Sequence, residues 1–215
     1  MSNISIAIDG PAGAGKSTIA KIIAKVKKLT YIDTGAMYRA VTLKCIQEQV
    51  DLQDHRQVEA VLMDTKIELI GDSIFLNGTN VSEEIRRSEV NKWVSEVAKL
   101  SAVRKKMVEM QRAIADSQSV VMDGRDIGTF VLPHAAYKFF LTASIEERAK
   151  RRFEEQQQKG FSTSLAEVKS EIENRDRIDT ERDLAPLTQA RDAILIDTTG
   201  LSIEEVVDKI LSYIQ

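Results

Sequence analysis

The chain has 215 residues, 43% of them apolar and 29% charged, and a formal net charge of −3. This is the composition of a soluble globular protein of one or two domains, and the balance gives no global attraction to nucleic acid, so an anionic ligand must be held by local clusters of Arg and Lys. Cys45 is the only cysteine, which excludes an intrachain disulfide. Together with the lack of a basic leader and of any run near the ~20 apolar residues of a membrane span, it makes the cytoplasm the expected location.

Ile4 to Asp9 reads as a short buried strand and Thr18 to Ala24 as a helix. Between them, Gly10-Pro11-Ala12-Gly13-Ala14-Gly15-Lys16-Ser17 fits Gly-x-x-x-x-Gly-Lys-[Ser/Thr]. Strand, glycine-rich turn and helix are the context a phosphate-binding loop needs. The glycines let successive N–H groups point at an anion, and the helix N-terminus adds partial positive charge. Lys16 is placed to reach the β- and γ-phosphates of a nucleotide, and the Ser17 hydroxyl to ligate Mg²⁺. Residues 10–18, ending on Thr18, are the expected ATP contacts.

Leu29 to Asp33 reads as a second strand, and Thr34-Gly35 turns into a helix from Ala36 to Val50. Arg39, one turn after that start, is placed to bind a second phosphate. Asp54 to Thr65 reads as another helix. Lys66 to Ile70 and Ser73 to Leu76 then alternate around Gly71-Asp72, the signature of a type II′ hairpin. Asn77-Gly78 turns into Thr79-Asn80-Val81. This antiparallel meander reads as an inserted subdomain. Two helical stripes follow, Val90, Trp93, Val94, Val97 and Ala98, then Val103, Met107, Met110 and Ile114. Apolar stripes face cores, so Trp93 and the methionines are expected inside.

Ser119 to Met122 reads as a buried strand ending in Asp123-Gly124-Arg125-Asp126. A carboxylate there can bind Mg²⁺ directly or through water; a charged β–α turn is the plainer alternative. Tyr137 to Leu141 is the next strand, and Ser144 with Glu147 caps a helix. Arg148-Ala149-Lys150-Arg151-Arg152 puts four cations in five residues, followed by the polar stretch Glu154 to Ser164. Such a run is either a solvated face or a cationic cover that excludes water from a phosphoryl transfer. For the cover, Arg148 and Arg152, at i and i+4, are the candidates. Leu165, Val168 and Ile172 continue at helical steps to Arg175, Asp179 and Arg182. Unpaired buried charge is costly, so this face either meets a ligand, emerges into solvent, or pairs Arg175 with Asp179. Ala193 to Asp197 is the last strand. Ser202 and Glu205 cap a final helix whose Ile203, Val206, Val207, Ile210, Leu211 and Ile214 share a face. His55 and His134 belong to no constellation, and Cys45 reads as core.

Five buried strands joined by helices imply a five-stranded parallel sheet covered on both faces, an α/β fold of the P-loop NTPase type. Ligands of such sheets sit at the strands' carboxyl ends, where Gly10, Asp33 to Gly35 and Asp123 to Asp126 fall.

These motifs together resemble the bacterial cytidylate kinases, a branch of the nucleoside monophosphate kinases. The resemblance runs end to end. It is carried by Ile8-Asp9-Gly10-Pro11 with the P-loop, Asp33-Thr34-Gly35-Ala36-Met37-Tyr38-Arg39, Asp123-Gly124-Arg125-Asp126-Ile127-Gly128-Thr129, Glu146-Glu147-Arg148-Ala149 with Arg151-Arg152, and Ala185-Pro186-Leu187. It implies phosphoryl transfer from ATP, with Mg²⁺, to CMP or dCMP, giving ADP and CDP or dCDP in pyrimidine nucleotide metabolism. It implies catalytic roles for Lys16, Arg125, Arg148 and Arg152. Thr34, Asp123 and Gly124 join the CMP site, where Arg39, Arg125 and Arg182 are expected at the monophosphate, Arg175 and Asp179 at the ribose, and Ser95, Arg104 and Asp126 at the cytosine. A carboxylate complements the exocyclic amine of cytosine and meets an acceptor on uracil. Some members of the family have Gly where Ser17 stands. The implied organisation is one kinase domain: a core of residues 1–62, 101–145 and 165–215, a substrate-binding subdomain at about 63–100, and a lid at about 148–164. A monomer with only small-molecule partners is expected. A kinase for UMP or for a non-nucleotide alcohol is the first rival, although an alcohol calls for a carboxylate base and the site is rich in Arg. A GTP-binding switch is the second; it needs Asn-Lys-x-Asp, and the chain offers only Asn91-Lys92-Trp93-Val94.

Overall fold

The computed structural model describes residues 3–158, 160 and 162–215. Met1 and Ser2 of the expected core, and Lys159 and Phe161 of the expected lid, lie outside the described residues.

β1 (Ser5–Asp9) runs into the P-loop and α1 (Lys16–Lys27). β2 (Thr30–Asp33) leads directly into α2 (Thr34–Gln47), and α3 (His55–Met63) follows. α2 starts two residues before the expected Ala36, because the Asp33 carboxylate caps it by accepting from the Ala36 N–H across 2.8 Å. β3 (Ile67–Ile70), β4 (Ser73–Leu76) and β5 (Thr79–Asn80) form the antiparallel meander. Of the two residues turning β3 into β4, positive φ falls only on Gly71, at +59°, as a type II′ turn requires. α4 (Ser88–Lys99) and α5 (Ser101–Ser117) return the chain to β6 (Val120–Gly124), which ends in a short π-helical turn over Ile127–Val131. β7 (Tyr137–Thr142), α6 (Ile145–Gln158), α7 (Leu165–Glu181), β8 (Ile194–Asp197) and α8 (Ile203–Leu211) complete the chain.

The main sheet has the order β2-β6-β1-β7-β8, parallel throughout. Burial follows position. β6, in the interior of the sheet, is buried at every residue, whereas edge strand β8 leaves Leu195 53% exposed. One face packs Ile8, Phe139 and Ile196 against α1 and α8; the other packs Ile32 and Met122 against Val108 and Ile127. The meander forms its own sheet, but its core is not separate. Ile67, Ile74 and Leu76 join Met37, Val41, Val94 and Met107 in one cluster with α2, α4 and α5.

Two expectations need correction. Trp93 is absent from that cluster. It is half-buried, lines the cleft described below, and has Lys92 Nζ 5.5 Å from its ring centroid. The cationic segment is helical. Helix α6 carries it to Gln158, and α7 restarts at Leu165 behind a Ser164–Glu167 capping box. On α8, Ile203 departs from the apolar face and is 51% exposed. Among the described residues, no helix is long and apolar enough to cross a membrane.

Candidate active site

A cleft of about 1630 Å³ opens at the carboxyl ends of β1, β2, β6 and β8. Residues from the P-loop, the start of α2, α4, the turn after β6, α6 and α7 line it. That is larger than a usual single small-molecule pocket.

At the P-loop, Gly13 and Gly15 have φ of +77° and +83°, left-handed values that glycine adopts freely. Lys16 is the first residue of α1 and is buried. Its Nζ donates to the Pro11 carbonyl across 2.7 Å. Burial, then the charge of Arg125, pushes the Lys16 pKa down to about 7. Gly10 and Pro11 do not line the cleft. Gly10 is required for packing instead: a Cβ there would lie 2.0 Å from the Leu141 carbonyl oxygen.

Beside the P-loop stands Asp123, at the end of β6. Its Oδ2 accepts from the Ser17 hydroxyl and its Oδ1 from the Tyr31 hydroxyl, each across 2.8 Å. Burial, then the nearby Asp33, raises its pKa. A carboxylate and a hydroxyl are hard oxygen donors, which fit Mg²⁺. Among the described residues no group of three or more His, Cys, Asp or Glu side chains could hold a metal. Asp9 plays a structural part. Its carboxylate accepts from the Ile127 and Gly128 N–H groups across 2.8 and 2.7 Å, fixing the turn after β6. Burial lifts its pKa to about 6.

The opposite wall is an alternating net of carboxylates and guanidinium groups. Arg39 pairs with Asp33 at 3.0 Å. Arg125 Nε donates to Asp179 Oδ2 across 2.8 Å. Asp126 accepts from Arg104 at one oxygen and from Arg182 at the other, the latter across 3.2 Å. Arg182 Nε also donates to the Ala185 carbonyl across 2.7 Å, and Ala185 has φ of +53°. Burial opposes ionisation of Asp179, yet Arg125, Arg175 and Arg182 hold its pKa below the usual carboxylate range. Arg175 makes no ion pair with Asp179 within 4.0 Å; burial, then Arg125, pushes its pKa down to about 10. The charged stripe of α7 therefore does face a cleft, and its carboxylate pairs with the turn after β6. Thr34 donates to the Asp123 carbonyl across 2.7 Å, and Ser95 lines the wall from α4.

Four cleft-lining residues carry a buried polar atom without a protein partner: Tyr38 Oη, Arg39 Nε, Arg104 Nε and Arg175 Nε. Buried polar groups are nearly always satisfied, and a polar ligand with anionic groups would satisfy these.

Of the residues singled out from sequence, the structure brings all but three into the cleft. Gly10 and Pro11 are accounted for above. Arg148 is the third. It is buried, donating from Nε to the Ala143 carbonyl across 3.0 Å and from Nη1 to the Ala12 carbonyl across 2.9 Å, with Asp176 as its ion-pair partner. It braces the P-loop from behind, because position 148 falls on the face of α6 that meets α7. Arg151 and Arg152 face the cleft instead. Arg151 holds the end of β8, donating to Thr198 Oγ1 across 3.0 Å and to its carbonyl across 2.7 Å. Neither Arg151 nor Tyr31 was singled out as a site residue; their positions on α6 and at the mouth of β2 follow only from packing.

Comparison with known proteins agrees with this geometry. The family model described as cytidylate kinase matches residues 6–215. A cytidylate kinase of Bacillus subtilis (strain 168) is 54% identical, covering 99% of this chain and 96% of that one. One from Clostridioides difficile (strain 630) is 52% identical over 100% of this chain and 99% of its own length. Among solved structures, a gluconokinase from Sinorhizobium meliloti 1021 superposes with a TM-score of 0.53 at 14% identity, over 97% of this chain and 90% of that one. That likeness concerns the fold alone. A P-loop and an arginine–carboxylate wall share one cleft, and the sequence match spans nearly the whole chain: this protein belongs to the cytidylate kinase family.

Proposed function

We propose that the protein transfers the γ-phosphoryl group of ATP to CMP or dCMP, releasing ADP and CDP or dCDP. The single observation that carries this reading is the shared cleft, with buried Lys16 on one side and Asp126 held between Arg104 and Arg182 on the other. ATP lies with its phosphates on residues 12–18. Arg39, Arg125 and Arg182 receive the acceptor phosphate, Arg175 and Asp179 meet the ribose, and Ser95, Arg104 and Asp126 meet the cytosine. Ser17 and Asp123 would hold Mg²⁺, which would neutralise negative charge on the donor phosphates.

The acceptor phosphate is already anionic near neutral pH and needs no general base. Catalysis is then positioning and charge stabilisation. Lys16, Arg125 and Arg152 surround the migrating group, and Arg151 fixes the donor side through Thr198. In this reading residues 63–100 form the substrate-binding subdomain, residues 148–164 the lid, and the rest the core. The protein works as a cytoplasmic monomer.

The test is ADP release from ATP and Mg²⁺ with CMP, dCMP, UMP and AMP in parallel. CMP and dCMP well ahead is the expected result. Activity with UMP alone would discard the base pocket, and no activity with any of the four would discard the acceptor assignment.

A further inference from the structure

Both peptide groups of Ala12 are held from outside the P-loop. Its N–H donates to Asp176 Oδ1 across 2.9 Å, and its carbonyl accepts from Arg148 Nη1 across 2.9 Å. The same Nη1 is paired with Asp176 Oδ2. The loop also lies directly on α6: a Cβ added at Gly13 would meet the Arg148 carbonyl oxygen at 3.0 Å and its Cβ at 3.1 Å. Asp176 sits on α7 next to Arg175 and one turn before Asp179, whose Oδ2 accepts from Arg125. One helix therefore carries the anchor of the P-loop and the carboxylate of the opposite wall. Neither Asp176 nor Arg148 lines the cleft.

We propose that Asp176, locked by Arg148, is a positioning residue that sets the register between the P-loop and the acceptor side of the cleft. The inference rests on the kinase reading above. In-line transfer requires the attacking oxygen and the γ-phosphorus to be held at about 3 Å, and a misplacement of about 1 Å costs on the order of 10²-fold in rate. Each substrate contacts its own wall, so a slipped register leaves separate binding intact and lowers turnover. A purely structural role would lower stability and the fraction of active protein, but not the turnover of each correctly folded site.

The experiment compares Asp176→Ala and Asp176→Asn with the unaltered protein. Sites are counted by calorimetric titration with the non-hydrolysable ATP analogue AMP-PNP, and kcat is expressed per site. For Asp176→Ala, kcat should fall about 10- to 100-fold, with the KM for CMP and the Kd for AMP-PNP within about threefold. Asp176→Asn keeps an oxygen that accepts from the Ala12 N–H and should recover most of the loss. If the alanine variant does not fold, the asparagine variant carries the test, with an expected loss of about three- to tenfold. Unchanged kcat per site, or a loss confined to KM, overturns the inference. Unaltered protein that does not phosphorylate CMP takes down the kinase reading and this inference with it; active protein with an unimpaired variant takes down this inference alone.

Discussion

Arg182 Nη2 donates to Asp126 Oδ1 across 3.2 Å, while Arg104 occupies the other oxygen of the same carboxylate. The carboxylate is thus oriented by two buried cations and can accept from the exocyclic amine of a cytosine. Removing one partner of a buried pair costs about 3–5 kcal/mol, so Asp126→Ala confounds folding with recognition. Asp126→Asn keeps the shape and turns one acceptor into a donor. Its kcat/KM ratio for CMP over UMP should fall at least tenfold, the scale of one charged hydrogen bond at about 1.5–3 kcal/mol, with the KM for ATP nearly unchanged. An unaltered CMP/UMP ratio removes Asp126 from base recognition.

Lys16 is buried beside Arg125, and its pKa is pushed down to about 7, with burial the largest cause. In the unfolded chain a lysine titrates near 10.4. Between those values the unfolded state binds more protons, so this group's contribution to stability rises with pH over that window and is least favourable below it. Lys16→Met removes the term. The melting temperature of the ligand-free protein relative to Lys16→Met should climb from pH 7 towards pH 10. The same variant should lose at least tenfold in kcat, since the migrating group loses a charged hydrogen bond. A flat difference in melting temperature across that range would show that Lys16 is not desolvated, and near-normal turnover would remove it from catalysis.

The parts of this site that were legible in the sequence are those fixed by local chain chemistry. The P-loop, the hairpin turn at Gly71 and the capping box at Ser202 are written in adjacent residues, and each stands where its pattern put it. The charged continuation of the α7 stripe was legible as a conflict, since Arg175, Asp179 and Arg182 follow apolar positions at helical steps. What helical spacing cannot say is which neighbour a face meets. Arg148 and Arg152 share a periodicity, but α7 covers the first, and only the second lines the cleft. Trp93 belongs to an apolar stripe, yet it is half-buried at the cleft wall where the stripe leaves the core. The pairing of Tyr31 with Asp123 joins β2 to β6 across 92 positions and has no local signal.

That pairing can be tested directly. The Tyr31 hydroxyl donates to Asp123 Oδ1, and burial followed by the charge of Asp123 lifts the phenol well above its usual pKa, so it stays protonated and remains a donor. Tyr31→Phe removes one hydrogen bond from the carboxylate assigned to Mg²⁺ and lets it rotate away from Ser17. The Mg²⁺ concentration giving half-maximal rate should rise about tenfold, by the usual strength of a charged hydrogen bond, with the KM for CMP little changed. Binding of Mn²⁺ in the presence of AMP-PNP, followed by electron paramagnetic resonance, should weaken in parallel. Metal binding equal to that of the unaltered protein would leave Tyr31 only a packing role.

Gly10 separates a packing requirement from a phosphate-binding one. It opens the P-loop motif but does not line the cleft. Its φ is +147°, and an added Cβ would lie 2.0 Å from the Leu141 carbonyl oxygen on β7. Backbone cannot yield as a flexible side chain would, so Gly10→Ala must either part β1 from β7 or rotate the first peptide of the loop. Costs of this kind reach beyond about 4 kcal/mol, a large fraction of a typical domain stability of about 5–15 kcal/mol. Gly71→Ala is the natural control, because its φ of +59° also disfavours a side chain but no atom lies within 4 Å of the added Cβ; it should cost about 1–3 kcal/mol from backbone strain alone. Thermal unfolding should therefore rank Gly10→Ala far below Gly71→Ala, and the alanine at position 10 should lower soluble yield as well as ATP binding. If Gly10→Ala melts with the unaltered protein and only ATP binding suffers, the glycine serves the nucleotide and not the sheet.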